Sequence, residues 1–175
     1  MIKECGIFEH SQTLLEHMTP GVFLTSAADG IRNTMIIGWG GITVVWNRPV
    51  MMVLIRNARA THELVEKSRQ FTLSVPGKRD LSVEITTCGT RSMRELGDKF
   101  AYCCLTPVPG RRVDVPVIGE CDLHYECRVL YRQDLRFEDI PGFIKDRFYS
   151  RYPYPEGNHT LYFAEIVDTY RFEEE

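Results

Sequence analysis

Short strand-like runs broken by glycine and proline outnumber helical stretches when apolar and polar positions are followed along the 175 residues. Residues 22–26 (Val-Phe-Leu-Thr-Ser) and 31–37 (Ile-Arg-Asn-Thr-Met-Ile-Ile) read as two strands, and Ala27-Ala28-Asp29-Gly30 supplies the turn between them, so a hairpin is predicted. Residues 50–55 and 71–75 read as further strands, the second stopped by Pro76-Gly77. Residues 117–132 predict one long strand with mixed faces. Residues 159–172 predict another, with Tyr162, Ala164, Ile166 and Asp168 on one face and Leu161, Phe163, Glu165 and Val167 on the other. Helical spacing is confined to short pieces. Residues 1–18 form an arm or brief helix ended by Thr19-Pro20-Gly21. A helix over 61–69 takes Thr61 as N-cap, with Glu63 in its first turn and Leu64 and Val65 on its apolar face. An apolar helical patch covers 81–87 and should end at Cys88-Gly89, and 91–100 is a polar loop leading into a short helix. These patterns predict one mostly β (α+β) domain over residues 1–175, with an N-terminal arm at 1–18.

The chemistry concentrates between positions 33 and 62. Residues 33–41 read Asn-Thr-Met-Ile-Ile-Gly-Trp-Gly-Gly, a glycine-rich turn signal, and residues 56–62 read Arg-Asn-Ala-Arg-Ala-Thr-His. Arg56 and Arg59 thus stand just ahead of a helix start, where unpaired backbone N–H groups and the positive end of the helix dipole attract anions. With two guanidinium forks and the Thr61 hydroxyl, that end makes a site for a phosphate monoester. The bland alternative is a strand, a turn and a capped helix with both arginines solvated. Glycines 38, 40 and 41 allow close backbone approach to something flat or bulky. They are not a dinucleotide fingerprint, because G-x-G-x-x-G fails at Thr43 and regular β-α-β alternation is missing.

Charge narrows the partners. A net charge of −3 gives no concentrated basic face for nucleic acid, and Arg91, Arg94, Arg111 and Arg112 are too sparse to build one. The longest nearly uncharged run, 33–47, is interrupted by glycines and too short for a bilayer, and no leader pattern opens the chain, so no membrane association and a cytoplasmic location are expected. The six cysteines form no C-x-x-C pair, so no metal centre is expected and they read as reduced, buried thiols. Cys121 and Cys127, an even number apart, should share one sheet face.

The order Asn-Thr-Met-Ile-x-Gly-Trp at 33–39, Trp-Asn-Arg-Pro at 46–49 and Arg-x-x-Arg-x-Thr-His at 56–62 resembles the flavin reductase-like, FMN-binding split-barrel family, which includes the flavoredoxins. Residues 88–100 resemble that family's segment, which reads approximately Cys-Gly-x-x-Ser-Gly-x-x-x-Asp-Lys-Phe, with Met93 where glycine is usual and one residue more before Asp98. The resemblance covers about 18–172 and implies a split β-barrel with short peripheral helices that forms a homodimer with a flavin near each interface. FMN is expected rather than FAD, since the basic residues converge on one phosphate site. The resemblance implies that Thr34, Met35 and Ile36 lie against the ring, that Asn33 is a further cofactor-binding residue, that Trp39 packs against or shapes the pocket, and that Arg56, Arg59, Thr61 and His62 take the phosphate. Ser92 and Lys99 become cofactor neighbours. Gly157-Asn158-His159 resembles a Gly-Asp-His element linked with NADH binding, which makes His159 the candidate catalytic residue with Asn158 in the aspartate's place.

Phe143, Phe148, Tyr149, Tyr152 and Tyr154 crowd an insertion at about 138–158. It reads either as a loop packed on its own barrel or across a dimer, or as a lid over the flavin. Three readings remain: an oxidoreductase passing electrons from NADH or NADPH to flavin, a flavoredoxin-like carrier whose FMN is reduced by a redox protein partner, or a non-catalytic protein, either flavin-binding or a structural or interaction protein that kept the barrel and lost the flavin.

Overall fold

A computed structural model describes residues 1–151 and 157–173. The chain opens with β1 (Ile2–Glu4) and α1 (Ser11–Met18), then the hairpin β2 (Val22–Ala28) and β3 (Ile31–Ile37). Asp29 and Gly30 both adopt positive φ, the geometry of a two-residue turn that suits strand twist. A second hairpin follows, β4 (Gly40–Val45) and β5 (Arg48–Arg56). Its turn residues Trp46 and Asn47 sit at φ 54° and 55°, a turn hidden from sequence because neither position is glycine. Next come α2 (Ala60–Ser68), β6 (Gln70–Val75), α3 (Ser82–Thr90), α4 (Met93–Leu96), α5 (Lys99–Tyr102) and the small pair β7 (Pro107–Val108) and β8 (Val117–Ile118). The long strands β9 (Leu123–Asp134) and β10 (His159–Phe172) flank α6 (Gly142–Phe148).

All pairings are antiparallel, in the order β3-β2-β6-β9-β10-β5-β4, with β1 added to the far end of β10. Met35 and Ile37 from one end of that order meet Met51 and Val53 from the other in a single buried cluster with Leu73, Tyr125 and Tyr162. The sheet therefore curls into a barrel around its apolar faces. β3 and β5 touch across the gap yet do not pair, so β3 keeps an open edge. Inside the barrel wall, Glu126 accepts from the backbone N–H groups of Arg111, Arg112 and Val113 and from the Tyr170 hydroxyl, which ties the 111–113 loop to the sheet. Among the described residues, no helix is long and apolar enough to cross a membrane.

Several expectations are corrected. The strand expected over 117–132 is two strands, β8 and β9, interrupted at 119–122. Cys121 consequently sits in that break, in a second apolar cluster with Phe23 and Phe100, whereas Cys127 lies in the barrel core, so the two do not share a face. Burial of thiols holds for Cys88, Cys121 and Cys127, while Cys104 is exposed. α3 runs through Cys88 and Gly89 to Thr90, and Gly89 sits within the helix where a Cβ would meet the Ile36 side chain. Thr61 is not an N-cap: Arg59 holds that position with extended backbone, and Thr61 is buried inside the first turn. On β10 the alternation holds to Ile166, then a bulge near Asp168 shifts it and turns Thr169 and Tyr170 inward. The close approach allowed by the glycine run is made by the chain itself: a Cβ at Gly40 would lie 2.3 Å from the Met52 carbonyl oxygen.

Candidate functional site

β3, β5 and β10 end together at one corner of the barrel, and the β3–β4 connection crosses above them. His159 pairs across the ladder with Arg56, the first residue of β10 against the last of β5. Residues facing outward there, Leu54, Arg56 and His159, line a recess of about 130 Å³ with Met35 to Trp39 and Arg59. No carboxylate is among its lining residues. Arg56 donates to the carbonyl oxygens of Gly157 (3.0 Å) and Phe148 (3.3 Å), and Arg59 to that of Gly89 (2.6 Å). Arg59 is also the N-cap residue of α2, so the residue that donates to Gly89 stands directly ahead of the first N–H groups of that helix.

His159 is 5% exposed, tilted against Trp39 with ring centroids 4.9 Å apart and edge-on to Tyr149. Burial, aided by the neighbouring Arg56 and Arg59 charges, lowers its pKa to about 3. Its ring is thus neutral, and Nδ1 is buried without a hydrogen-bond partner among the described residues. Such an atom costs free energy unless a ligand satisfies it.

The predicted residues divide into those the fold gathers and those it scatters. Met35, Ile36, Trp39, Arg56, Arg59 and His159 meet in the recess. Asn33 and Thr61 lie just beneath, where the Asn33 amide donates to the Thr61 hydroxyl (2.8 Å) and leaves Asn33 Oδ1 unpaired. The Thr34 side chain turns toward Leu24, but its carbonyl accepts from Lys99 Nζ (3.2 Å), which also donates to Cys88 (3.0 Å). Lys99 is nearly inaccessible, and desolvation lowers its pKa. His62 is directed elsewhere. It bonds Thr160 (3.0 Å), whose side chain occupies the face of β10 opposite to His159, so His62 braces α2 against the barrel and does not line the recess. Ser92 caps α4 by accepting from Arg94 N and also lies outside the recess lining.

Three contributors escaped the sequence reading. Leu54 is an ordinary strand residue until pairing with Leu161 places it at the recess floor. The Gly89 carbonyl fixes Arg59. Arg94 reaches the Ala58 carbonyl (3.2 Å) and pairs with Glu63, pinning the loop ahead of α2; its only sequence signal was a basic residue in a polar loop. The aromatic insertion supplies α6, whose Phe148 meets Trp39 edge-on at 5.3 Å. Together with Ile140 and Ile144 it covers an apolar pocket of about 610 Å³ that shares Trp39 and Leu54 with the recess. Tyr152 and Tyr154 lie outside the described residues.

Comparison with known proteins places this arrangement. An uncharacterised protein of Pyrococcus abyssi is 29% identical over 147 residues, 82% of this chain and 67% of its own length. The flavoredoxin of Desulfovibrio vulgaris (Miyazaki F) superposes with a TM-score of 0.66 at 28% identity, over 89% of this chain and 70% of that one. An FMN-binding domain of a flavin reductases-like enzyme from Shewanella baltica OS155 gives 0.69 at 19% identity, over 98% and 77%, and shows the shared split-barrel fold. The flavin reductase like domain matches residues 15–175, and the chain belongs to that family.

Proposed function

We propose that this chain binds FMN in the recess and transfers electrons from NADH or NADPH to flavin. The observation that carries the reading is the convergence of Arg56, Arg59, the start of α2 and the unpaired Nδ1 of a neutral, buried His159 beside an open strand edge, with no carboxylate lining the recess. These residues fit a flavin mononucleotide. The two guanidinium groups and the helix start match one phosphate monoester. The unpaired edge of β3 offers backbone N–H and C=O groups to the polar rim of the ring. Lys99, a buried cation held on the Thr34 carbonyl, supplies positive potential behind that edge. Trp39, Phe148 and Tyr149 line the adjoining apolar pocket. When bound, the isoalloxazine supplies the hydride and electron chemistry, and the protein supplies binding, orientation and field.

The flavoredoxin match supports bound FMN that a redox protein reduces as the second reading. Asn158 favours it too: its side-chain amide donates to the Leu135 carbonyl (2.8 Å), a structural bond that an aspartate could not make. The same surface supports a homodimer. The recess is smaller than the roughly 300–1,000 Å³ of pockets that enclose a small ligand. An apolar strip of Trp46, Tyr131 and Phe163 continues outward from it on the same sheet face, with Trp46 60% exposed. A second copy on that strip would complete the pocket.

The test is anaerobic addition of NADH or NADPH to the purified protein. Yellow protein releasing FMN on denaturation and bleaching with either nucleotide supports the first reading. FMN that bleaches only with a reduced redox protein supports the second. A colourless protein that takes up no FMN, or one yielding mainly FAD, overturns both. Light scattering at the mass of one chain in the FMN-loaded protein would overturn the shared pocket.

A further inference from the structure

Behind the recess, the second apolar cluster encloses two sulfurs fifteen positions apart in sequence. Cys88 lies in the last turns of α3 and Cys103 follows α5. Their Sγ atoms stand 3.8 Å apart, in van der Waals contact. Cys88 is buried and Cys103 partly exposed. A disulfide has its sulfurs at about 2.05 Å, so bond formation requires these to close by less than the width of one atom. Among the described residues, Cys5, Cys104, Cys121 and Cys127 make no sulfur–sulfur contact of this kind.

We propose that Cys88 and Cys103 form a dithiol that is reversibly oxidised to an intramolecular disulfide, a two-electron centre next to the recess and independent of what the recess binds. A hydroperoxide is the oxidant. With hydrogen peroxide, the Cys103 sulfur takes one oxygen as the O–O bond breaks, becoming S–OH while a water departs. The Cys88 sulfur then displaces that hydroxyl, the S–S bond forms, and the hydroxide leaves with the Cys88 proton as a second water. A small dithiol returns two electrons and two protons.

Burial pushes both thiols up, Cys88 to about 12, which makes the first step slower than at an exposed thiol. The Lys99 ammonium acts in the opposite direction. It sits on the Cys88 carbonyl and favours the thiolate of both cysteines. Contact decides the outcome of the second step, since a sulfur already touching the sulfenic acid competes at high effective concentration with any thiol in solution. Exposed Cys104 reacts sooner but has no such partner within contact.

Peptide mapping of the folded, full-length protein tests the pairing. After limited hydrogen peroxide, alkylation and digestion, the expected product is a Cys88–Cys103 cross-linked peptide, two hydrogens lighter than its parts and split by dithiothreitol. It should form equally in Cys104→Ser and be absent in Cys103→Ser, where Cys88 is recovered as a free thiol. The wild-type map requires no core substitution, so loss of fold in a variant does not decide the outcome. Cys88 recovered free while Cys103 accumulates as sulfinic acid would overturn the proposal. So would a cross-link joining Cys103 to Cys104 or to a second chain.

Discussion

His124 and His159 are both buried, both packed among aromatic rings, and both have their pKa lowered to about 3. His124 lies near the Tyr170 end of the barrel against Phe172 at 4.4 Å, and each ring nitrogen has a partner: Nε2 donates to the Cys121 carbonyl (3.0 Å) and Nδ1 accepts from Ser74 (3.2 Å). His159, at the opposite corner, has an unpaired Nδ1 and two arginines beside it. Burial and a depressed pKa therefore do not mark a site. What sets the His159 corner apart is an unsatisfied buried nitrogen on a residue that lines a recess beside two arginines, a group that is costly until something satisfies it.

The largest expected break in this contrast comes from the arginines. Replacing Arg56 and Arg59 with alanine removes two charge-assisted contacts of about 1.5–3 kcal/mol each, so FMN affinity should fall about a hundred-fold or more. Fluorescence titration of the apo-protein reads this directly, and an unchanged dissociation constant would return both arginines to a structural role. Some loss of apo stability accompanies the change, since both side chains hold backbone carbonyls.

His124→Ala should cost about 2–4 kcal/mol of stability, because it empties a packed site and strands the Cys121 carbonyl. Thermal denaturation should show a drop of roughly 5–15 °C. His159→Ala should cost less, its Nδ1 being already unsatisfied, and should weaken FMN binding instead. Equal losses of stability would erase the distinction between the two corners.

Acid should act on both. The folded pKa values lie near 3, below the ordinary histidine value of 6.5, so below pH 6.5 the unfolded chain takes protons that the folded chain refuses. Stability is unaffected by these groups above that pH and falls by about 1.4 kcal/mol per unit for each histidine as pH drops toward 3. Substituting either with glutamine should flatten the slope, measured as melting temperature between pH 7 and 4. A bound phosphate raises the proton affinity of His159 but not of His124, so FMN should reduce the acid sensitivity only at the first. The smallest effect is expected from Trp39→Phe, which keeps an aromatic ring beside His159 and should change the FMN dissociation constant less than about ten-fold, equivalent to roughly 1.4 kcal/mol.

Much of the His159 corner was legible in the chain because its parts are local. Arg56 and Arg59 share one short turn, and Asn33 to Trp39 forms one strand end and its exit. The His124 corner was not, since it depends on the register of β9 against β6, which brings Ser74 opposite His124. The same limit explains the errors. His62 lies beside the phosphate motif in sequence but reaches from α2 to Thr160 on β10. The Cys121 assignment failed because a break in the strand resets the alternation that the prediction extrapolated.

Taken alone, the sequence determined a mostly β chain, the strand runs, the hairpin at Asp29-Gly30 and a cationic helix start, all of which follow from the period of apolar residues and the turn chemistry of a few neighbours. Only the tertiary structure decided that the sheet curls until β3 faces β5, that His159 lands opposite Arg56 with a bare nitrogen, that Lys99 is buried under Thr34, and that Cys88 touches Cys103. Those facts rest on strand register and on packing between residues far apart along the chain, and no local periodicity encodes either.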